Sequence, residues 1–517
     1  MPACATRETV AERLPIGNLI LPVPDTDFRD FLDETDELAR FAPEIMDAVE
    51  LDLDANARKK KQLRLADKRF AESRTPDLPE LDVAEAEVLA DELEIGIGRP
   101  RMPAALVYLF VMLRGFLGGT LTSKESRRFL CESMSLYAYL ESRGARMPGV
   151  TTIVENVNRV SMKTLDLIFD KQIKFVLQET LDDFRNLTID STSVKANSSW
   201  PTDAKILTGL LTRADRLGQK LHVFGLDNFR QGWIPRWLEE MDKREFQICL
   251  VAGKANSAGK LKKHYRSLLR RGRKAANALT TELNHLEQGL LMEKLPPSRR
   301  LLLQRMLDQI KTDLSDANRV IEYANDRVFH DKKLPSTKKV LSLSDGSAAY
   351  IKKGGRTPVI GYKPQLVRSA NGFITSLIVP EGNAADSVKL APAIRESIKR
   401  TGVIAELVST DDGYASAKGR DEVLGMKVKH ISISGAKGKR LTDPDDWESE
   451  TYRDARRNRS AVESLMFTIK DGFDFGELGR RGIDAVRSEL TEKVLAYNLC
   501  RIILMKKRRR EALDKAA

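Results

Sequence analysis

Two short apolar runs, each leading into an aspartate, most constrain the fold of this chain. Leu187-Thr188-Ile189 closes on Asp190, and the run from Ile404 to Val408 leads to Asp411, which Asp412-Gly413-Tyr414 follow. Alternation with period two marks half-buried strands, and acids at the carboxyl ends of strands sit where open mixed or parallel sheets meet ligands. Between the two acids, Pro358 to Val367 and Phe373 to Val379 flank Asn371-Gly372, the pair that best signals a tight hairpin. A helical segment, Ser387 to Arg400, precedes the second strand. Strand, hairpin, helix and strand in that order predict an α/β mixed-sheet core.

A third carboxylate sits on a helix. Arg459 to Lys470 reads Arg-Ser-Ala-Val-Glu-Ser-Leu-Met-Phe-Thr-Ile-Lys. At ~100° per residue, Arg459 and Lys470 fall within ~40° of Glu463, while Val462, Leu465, Met466 and Ile469 take the other side. Taken alone, this is also the pattern of a surface helix with an Arg–Glu ion pair and a solvated Lys. Two strand-borne aspartates and a helix-borne glutamate would together cage hard cations such as magnesium and leave room for phosphate.

Asp190-Ser191-Thr192-Ser193, Asp411-Asp412-Gly413-Tyr414 and Arg459-x3-Glu463-x6-Lys470 resemble, as a set, the DDE transposases of bacterial insertion sequences. The resemblance covers roughly residues 105–505, and its nearest subgroup carries a Tyr-x2-Arg-x3-Glu-x6-Lys signature, with Arg456 here at the Tyr position. That departure bears on a DNA contact and leaves the acids untouched. The resemblance implies a ribonuclease H-like catalytic core and two Mg2+ ions, with Mn2+ able to substitute. Asp190 would bridge the ions, Asp411 hold one and Glu463 the other, and water would free a 3′ hydroxyl that then attacks target DNA. Arg459, Lys470, Arg456, Tyr414 and Lys195 are the expected DNA contacts around these acids. Double-stranded DNA, as transposon ends and target, is the expected partner, and a homodimer is expected because two ends must be paired. The alternatives are a stand-alone ribonuclease H-like nuclease and a catalytically silent, transposase-derived DNA-binding regulator.

At 517 residues the chain is expected to form two or three domains, and a net charge of +12 favours an acidic partner. Aromatic residues are only 6%, which argues against a surface that stacks many bases. Cys4, Cys131, Cys249 and Cys500 lie too far apart for a Cys-x2-Cys metal site and suggest no disulfide framework. The histidines are likewise scattered, without ligand spacing. The longest apolar run, Ala104 to Leu113, is too short to span a bilayer, and the N-terminus reads as no leader, so a bacterial cytoplasmic, nucleoid-associated protein is expected.

Along the chain, residues 1–100 read as an N-terminal arm, weakly structured or helical, with a partner or DNA-end contact and a plain tail both open. Residues 101–180 read as a helical DNA-binding domain of helix-turn-helix style, with Lys124, Arg127 and Arg128 on one face, or as a plain helical packing domain. The core is assigned to 181–238 and 340–505, interrupted by a basic helical insertion at 239–339. Within the insertion Lys254, Lys260, Lys262, Lys263, Arg266, Arg270, Arg271, Arg273 and Lys274 follow one another without an intervening acid, and Pro296-Pro297 predicts a helical hairpin. That arm would grip DNA or a second subunit, or present a solvated face. Asp386 reads as a helix N-cap, Lys427 to Arg440 as a loop that tracks DNA or stays mobile, and Lys506 to Arg510 as a nonspecific DNA contact in a basic tail, 506–517.

Overall fold

The computed structural model describes residues 28–72, 101–198, 202–227, 229–289, 294–332, 335, 339–352 and 357–516. They fall into two compact units, one drawn from residues up to Ala55, Pro100–Asn197 and from Ser347 onward, the other from Asn56–Arg99 and Ser198–Gly346. The parts of the expected N-terminal arm at 1–27 and 73–100 lie outside the described residues.

In chain order the strands of the first unit are β1 (Asn186–Ser191), β2 (Val194–Lys195), β3 (Ala349–Ile351), β4 (Val359–Tyr362), β5 (Gln365–Ser369), β6 (Ile374–Ile378), β7 (Leu407–Thr410) and β8 (His430–Ile433). Five of them form one sheet in the order β6-β5-β1-β7-β8, and β2-β4-β3 form a small second one. β1 pairs antiparallel with β5 and parallel with β7, and β7 pairs parallel with β8. This is a mixed α/β sheet of ribonuclease H-like form.

The hairpin turns where expected: Gly372 adopts φ 91°, and a side chain there would collide with Arg501. The predicted strand from Pro358 to Val367 is in fact two strands. Pro364 has no N–H for a ladder, so β4 joins the small sheet and β5 begins afresh at Gln365. The stretch read as a loop, Lys427 to Arg440, instead holds β8 and the helix Ala436–Leu441, because Ile431 and Ile433 enter the core. Helix Leu390–Thr401 covers the sheet with Leu390, Ala393 and Ile394 against Leu187, Ile189 and Val408, and Gly402 ends it at φ 72°.

The helices expected to form a separate DNA-binding domain belong to the same unit as this sheet. Ala104–Phe116 is apolar all round and buried from Val107 onward, so it must pack on every side. It lies against the long C-terminal helix Ile483–Ala516, and a Cβ on Gly115 would come within 2.0 Å of the Glu492 carbonyl oxygen. Here Arg114 grips Glu492 through Nη2 at 2.7 Å and Nε at 2.8 Å, and Arg480 Nη1 adds a bond at 3.0 Å. Burial pushes the Glu492 carboxyl upward, yet the two guanidiniums hold it below its usual range. Beside it Lys493 and Glu489, both fully buried, pair at 2.9 Å.

Three of the five C-terminal cations are committed within the fold. Lys506 pairs with Glu34 at 2.7 Å and Glu37 at 3.0 Å, Lys507 with Asp30 at 2.6 Å, and Arg509 with Glu179 at 3.4 Å. Helix Phe28–Phe41, part of the acidic stretch, therefore neutralises two of the five cations of the run read as a DNA contact and Glu179 a third, and the run continues the C-terminal helix. Arg508 and Arg510 remain exposed.

The second unit is helical: Asp203–Val223, Ile234–Val251, Ala258–Gly289 and Pro297–Phe329 share one core. Leu207, Leu211 and Leu217 of the first of these helices pack in that core, so the helical block begins well before residue 239.

Candidate active site

Because β1 and β7 are parallel neighbours, with Thr188 beside Ser409, their carboxyl ends lie side by side. Asp190 is half-buried at the end of β1, where Ser191 N donates to its Oδ1 at 2.6 Å. Asp411 follows β7 and caps a 3-10 turn, Gly413 N donating to its Oδ1 at 2.9 Å. Glu463 projects from helix Ser460–Gly472, which is seated by the buried Val462, Leu465, Met466 and Ile469. Its side chain is 67% exposed and only loosely paired with Arg459, at 3.5 Å. Lys470 Nζ donates to the Ser193 carbonyl at 3.0 Å and so ties this helix to the exit of β1.

Asp190, Asp411, Glu463, Arg459 and Lys470 all line one cleft of about 850 Å³. Among the described residues, no three His, Cys, Asp or Glu side chains are gathered closely enough to hold a metal ion. The acids thus share a cleft without forming a closed ligand set. Magnesium commonly keeps several waters and takes one or two carboxylates plus substrate phosphate, so hard oxygen donors in an open cleft fit such an ion.

Of the tandem acids, Asp412 is committed elsewhere. Its Oδ1 accepts from Lys437 N at 2.8 Å and Gly438 N at 3.0 Å, fixing the start of helix Ala436–Leu441. Gly435 allows this approach: it adopts φ 104°, and a Cβ there would lie 2.6 Å from that of Asp412.

Tyr414, expected as a DNA contact, is fully buried beneath the acids. Its hydroxyl donates to Gln365 Oε1, Gln365 Nε2 donates to Asp386 Oδ1 at 2.9 Å, and Asp386 Oδ2 pairs with Lys363 at 2.8 Å. Burial, reinforced by Asp386, Asp190 and Asp411, drives the phenol far above its ordinary value and keeps it a donor. Asp386 is therefore not a helix cap, and Leu390–Thr401 starts from Lys389 with no side-chain cap at all. Gly413 stands between the two acids: a Cβ on it would lie 3.0 Å from Asp411 Oδ1 and 3.5 Å from Asp386 Oδ2.

The remaining expected contacts divide. Arg456 is an internal brace, donating to the Trp447 carbonyl at 2.9 Å with its guanidinium 4.2 Å over the Trp447 ring. Lys195 pairs with Glu477 at 2.9 Å on the surface. In the helical unit Lys262, Lys263, Arg266 and Arg270 are exposed along helix Ala258–Gly289, Arg266 also lying over the Phe329 ring, whereas Arg271 pairs with Glu240 at 2.6 Å.

Sequence reasoning passed over Phe467, Ser434 and Gly435, which also line the cleft. Phe467 is 71% exposed beside Glu463, and its only signal was an apolar residue off the buried stripe. Among the described residues no helix is long and apolar enough to cross a membrane.

Residues 326–499 match the family model described as the transposase DDE domain, a span that includes Asp411 and Glu463 and begins after β1. No curated protein and no solved structure matches the chain. The match over residues 326–499, together with the sheet order that accompanies it, supports a DDE transposase.

Proposed function

We propose that this chain cuts the ends of an insertion sequence and joins the freed 3′ hydroxyl to target DNA, with Asp190, Asp411 and Glu463 as its catalytic acids. The observation that carries this reading is that two strand ends and one helix bring these acids to a single cleft flanked by Arg459 and Lys470. Asp190 with Asp411, and Asp190 with Glu463, would hold divalent ions, Mg2+ or Mn2+, whose chemistry is to activate the attacking oxygen and stabilise the leaving one. In the first step a water oxygen bonds to phosphorus while the P–O3′ bond breaks, and the departing oxygen is protonated to a 3′ hydroxyl. In the second, that oxygen bonds to a target phosphorus, and the target's own P–O3′ bond breaks with its oxygen taking up a proton.

Arg459 suits planar, bidentate contact with a phosphate, and Lys470, held at the Ser193 carbonyl, supplies a point charge at the cleft wall. The exposed cations of helix Ala258–Gly289 would neutralise other phosphates of the DNA. Two ends must be cut in concert, so the active complex is read as a homodimer.

The test is Glu463→Gln, assayed on linear DNA carrying the sequences that flank the gene, searched first for inverted repeats. Strand cleavage is expected to fall at least about a thousandfold, the upper range for loss of one electrostatic stabiliser, while DNA binding persists. Cleavage retained in that variant would overturn the assignment. Cleavage by the wild type without joining of a pre-cut 3′ end would make the protein a nuclease, and no cleavage under any divalent ion would make it a silent DNA binder.

A further inference from the structure

Helix Ser460–Gly472 presents a second polar surface, rotated from Glu463 by ~100–140°. There Ser464 and Thr468 edge a pocket of about 190 Å³ whose other walls include Arg368, Arg501 and Arg508. Arg368 comes from β5 beside its bulge, and Arg501 and Arg508 from one face of the C-terminal helix, two turns apart. Arg501 Nε is held by the Asn371 carbonyl at 2.5 Å, whereas among the described residues no hydrogen bond or ion pair engages the side chain of Arg368 or Arg508.

No carboxylate lines this pocket. The acid that most bears on Arg368 and Arg501 is Asp182, and its oxygens already accept from Phe184 N at 2.8 Å, Ser369 Oγ at 2.7 Å and Asn371 N at 2.9 Å. Burial, with Arg501 alongside, draws Arg368 below the usual guanidinium range, so the cluster would gain from an anion. We propose that this pocket binds a phosphate of the DNA backbone, forming a second anchoring point beyond the catalytic cleft. A phosphate group and a few waters fit the volume, and convergent arginines with two hydroxyls match its oxygens. A DNA phosphate is favoured over free phosphate because the pocket and the cleft share helix Ser460–Gly472, which places both within reach of one extended polyanion. This rests on the reading of DNA as the substrate.

Arginine-selective dicarbonyl labelling of the whole chain, read residue by residue by mass spectrometry, tests it with a linear duplex as probe at constant ionic strength. The duplex is expected to slow labelling of Arg368 and Arg508 several-fold, together with Arg459 in the cleft, and inorganic phosphate at equal phosphate concentration is expected not to. Protection of Arg459 without protection of Arg368 and Arg508 overturns the inference and leaves the function standing; no protection of Arg459 removes the function reading itself. Equal protection by inorganic phosphate makes this a free-phosphate site and overturns the DNA assignment. As a second arm, the double variant Arg368→Gln, Arg508→Gln should lower the slope of log binding constant against log salt by about 0.9 for each DNA phosphate it no longer neutralises. An unchanged slope in a folded double variant also overturns the proposal.

Discussion

The acids of the cleft and the acids of the C-terminal helix are the same chemical groups put to opposite uses. Glu492 is 1% exposed and gripped by two arginines, and Glu489 is fully buried against Lys493. Glu463 is 67% exposed and holds Arg459 only at 3.5 Å, while Asp411 accepts from the backbone of its own turn. A carboxylate whose partners are built into the fold stabilises one structure, whereas a carboxylate left facing a cleft can accept a ligand. The difference lies in which partners the tertiary structure supplies, since residue type is shared.

The largest effect separating the two groups should come from paired substitutions of the same kind. Asp411→Asn or Glu463→Gln should remove cleavage activity yet leave the thermal midpoint near wild type. A large drop in midpoint for either would place that acid with the structural set.

Glu492→Gln should do the reverse on stability, costing about 3–5 kcal/mol in denaturant unfolding because Arg114 and Arg480 lose their buried counter-charge. The pH dependence has a definite sign. The folded-state value of Glu492 lies below its unfolded value of about 4.3, so its contribution is complete above that pH and disappears as pH falls through the folded value. Below pH ~4 the stability gap between wild type and Glu492→Gln should narrow, and a gap that widens there would contradict the pairing.

Asp386 lies between the two classes, tied to Lys363 and Gln365 yet adjacent to Asp411 across Gly413. Asp386→Asn should raise the divalent-ion concentration needed for half-maximal cleavage by about tenfold, with the rate at saturation less affected. A uniform rate loss with unchanged ion dependence would indicate a packing role alone.

The smallest effects should come from the cations of helix Ala258–Gly289. Lys262→Gln or Arg270→Gln should each reduce the salt slope of DNA binding by about 0.9 if that residue contacts a phosphate. Arg271→Gln should leave the slope unchanged, because Arg271 already answers Glu240. Equal slopes for Arg270→Gln and Arg271→Gln would erase the distinction.

What the sequence revealed was local. The alternation through Leu187, Thr188 and Ile189, the Asn371-Gly372 turn and the stripe Val462, Leu465, Met466, Ile469 are patterns complete within a few residues, and each has its structural counterpart. The strand His430–Ile433 was hidden because only two of its residues are apolar and Lys and Gly crowd both flanks. The other misreadings concern partners distant along the chain. Asp412 answers amides some 25 positions on, Asp386 answers Gln365, and Lys506 meets Glu34 from 472 positions away. Helix Asp203–Val223 could not be assigned to a unit from its own apolar face, since only the face it meets decides membership.

The turn from Asp411 to Tyr414 assigns its consecutive residues to different neighbourhoods: one carboxylate to the cleft, the next to a helix start, the ring to the interior. Such a segment has no slack. Inserting or deleting a single position would drag an ionised group into hydrocarbon and expel an aromatic ring into water. Redesign of substrate preference would therefore have to begin at Phe467, an exposed cleft residue whose side chain can be exchanged while the floor stays in place.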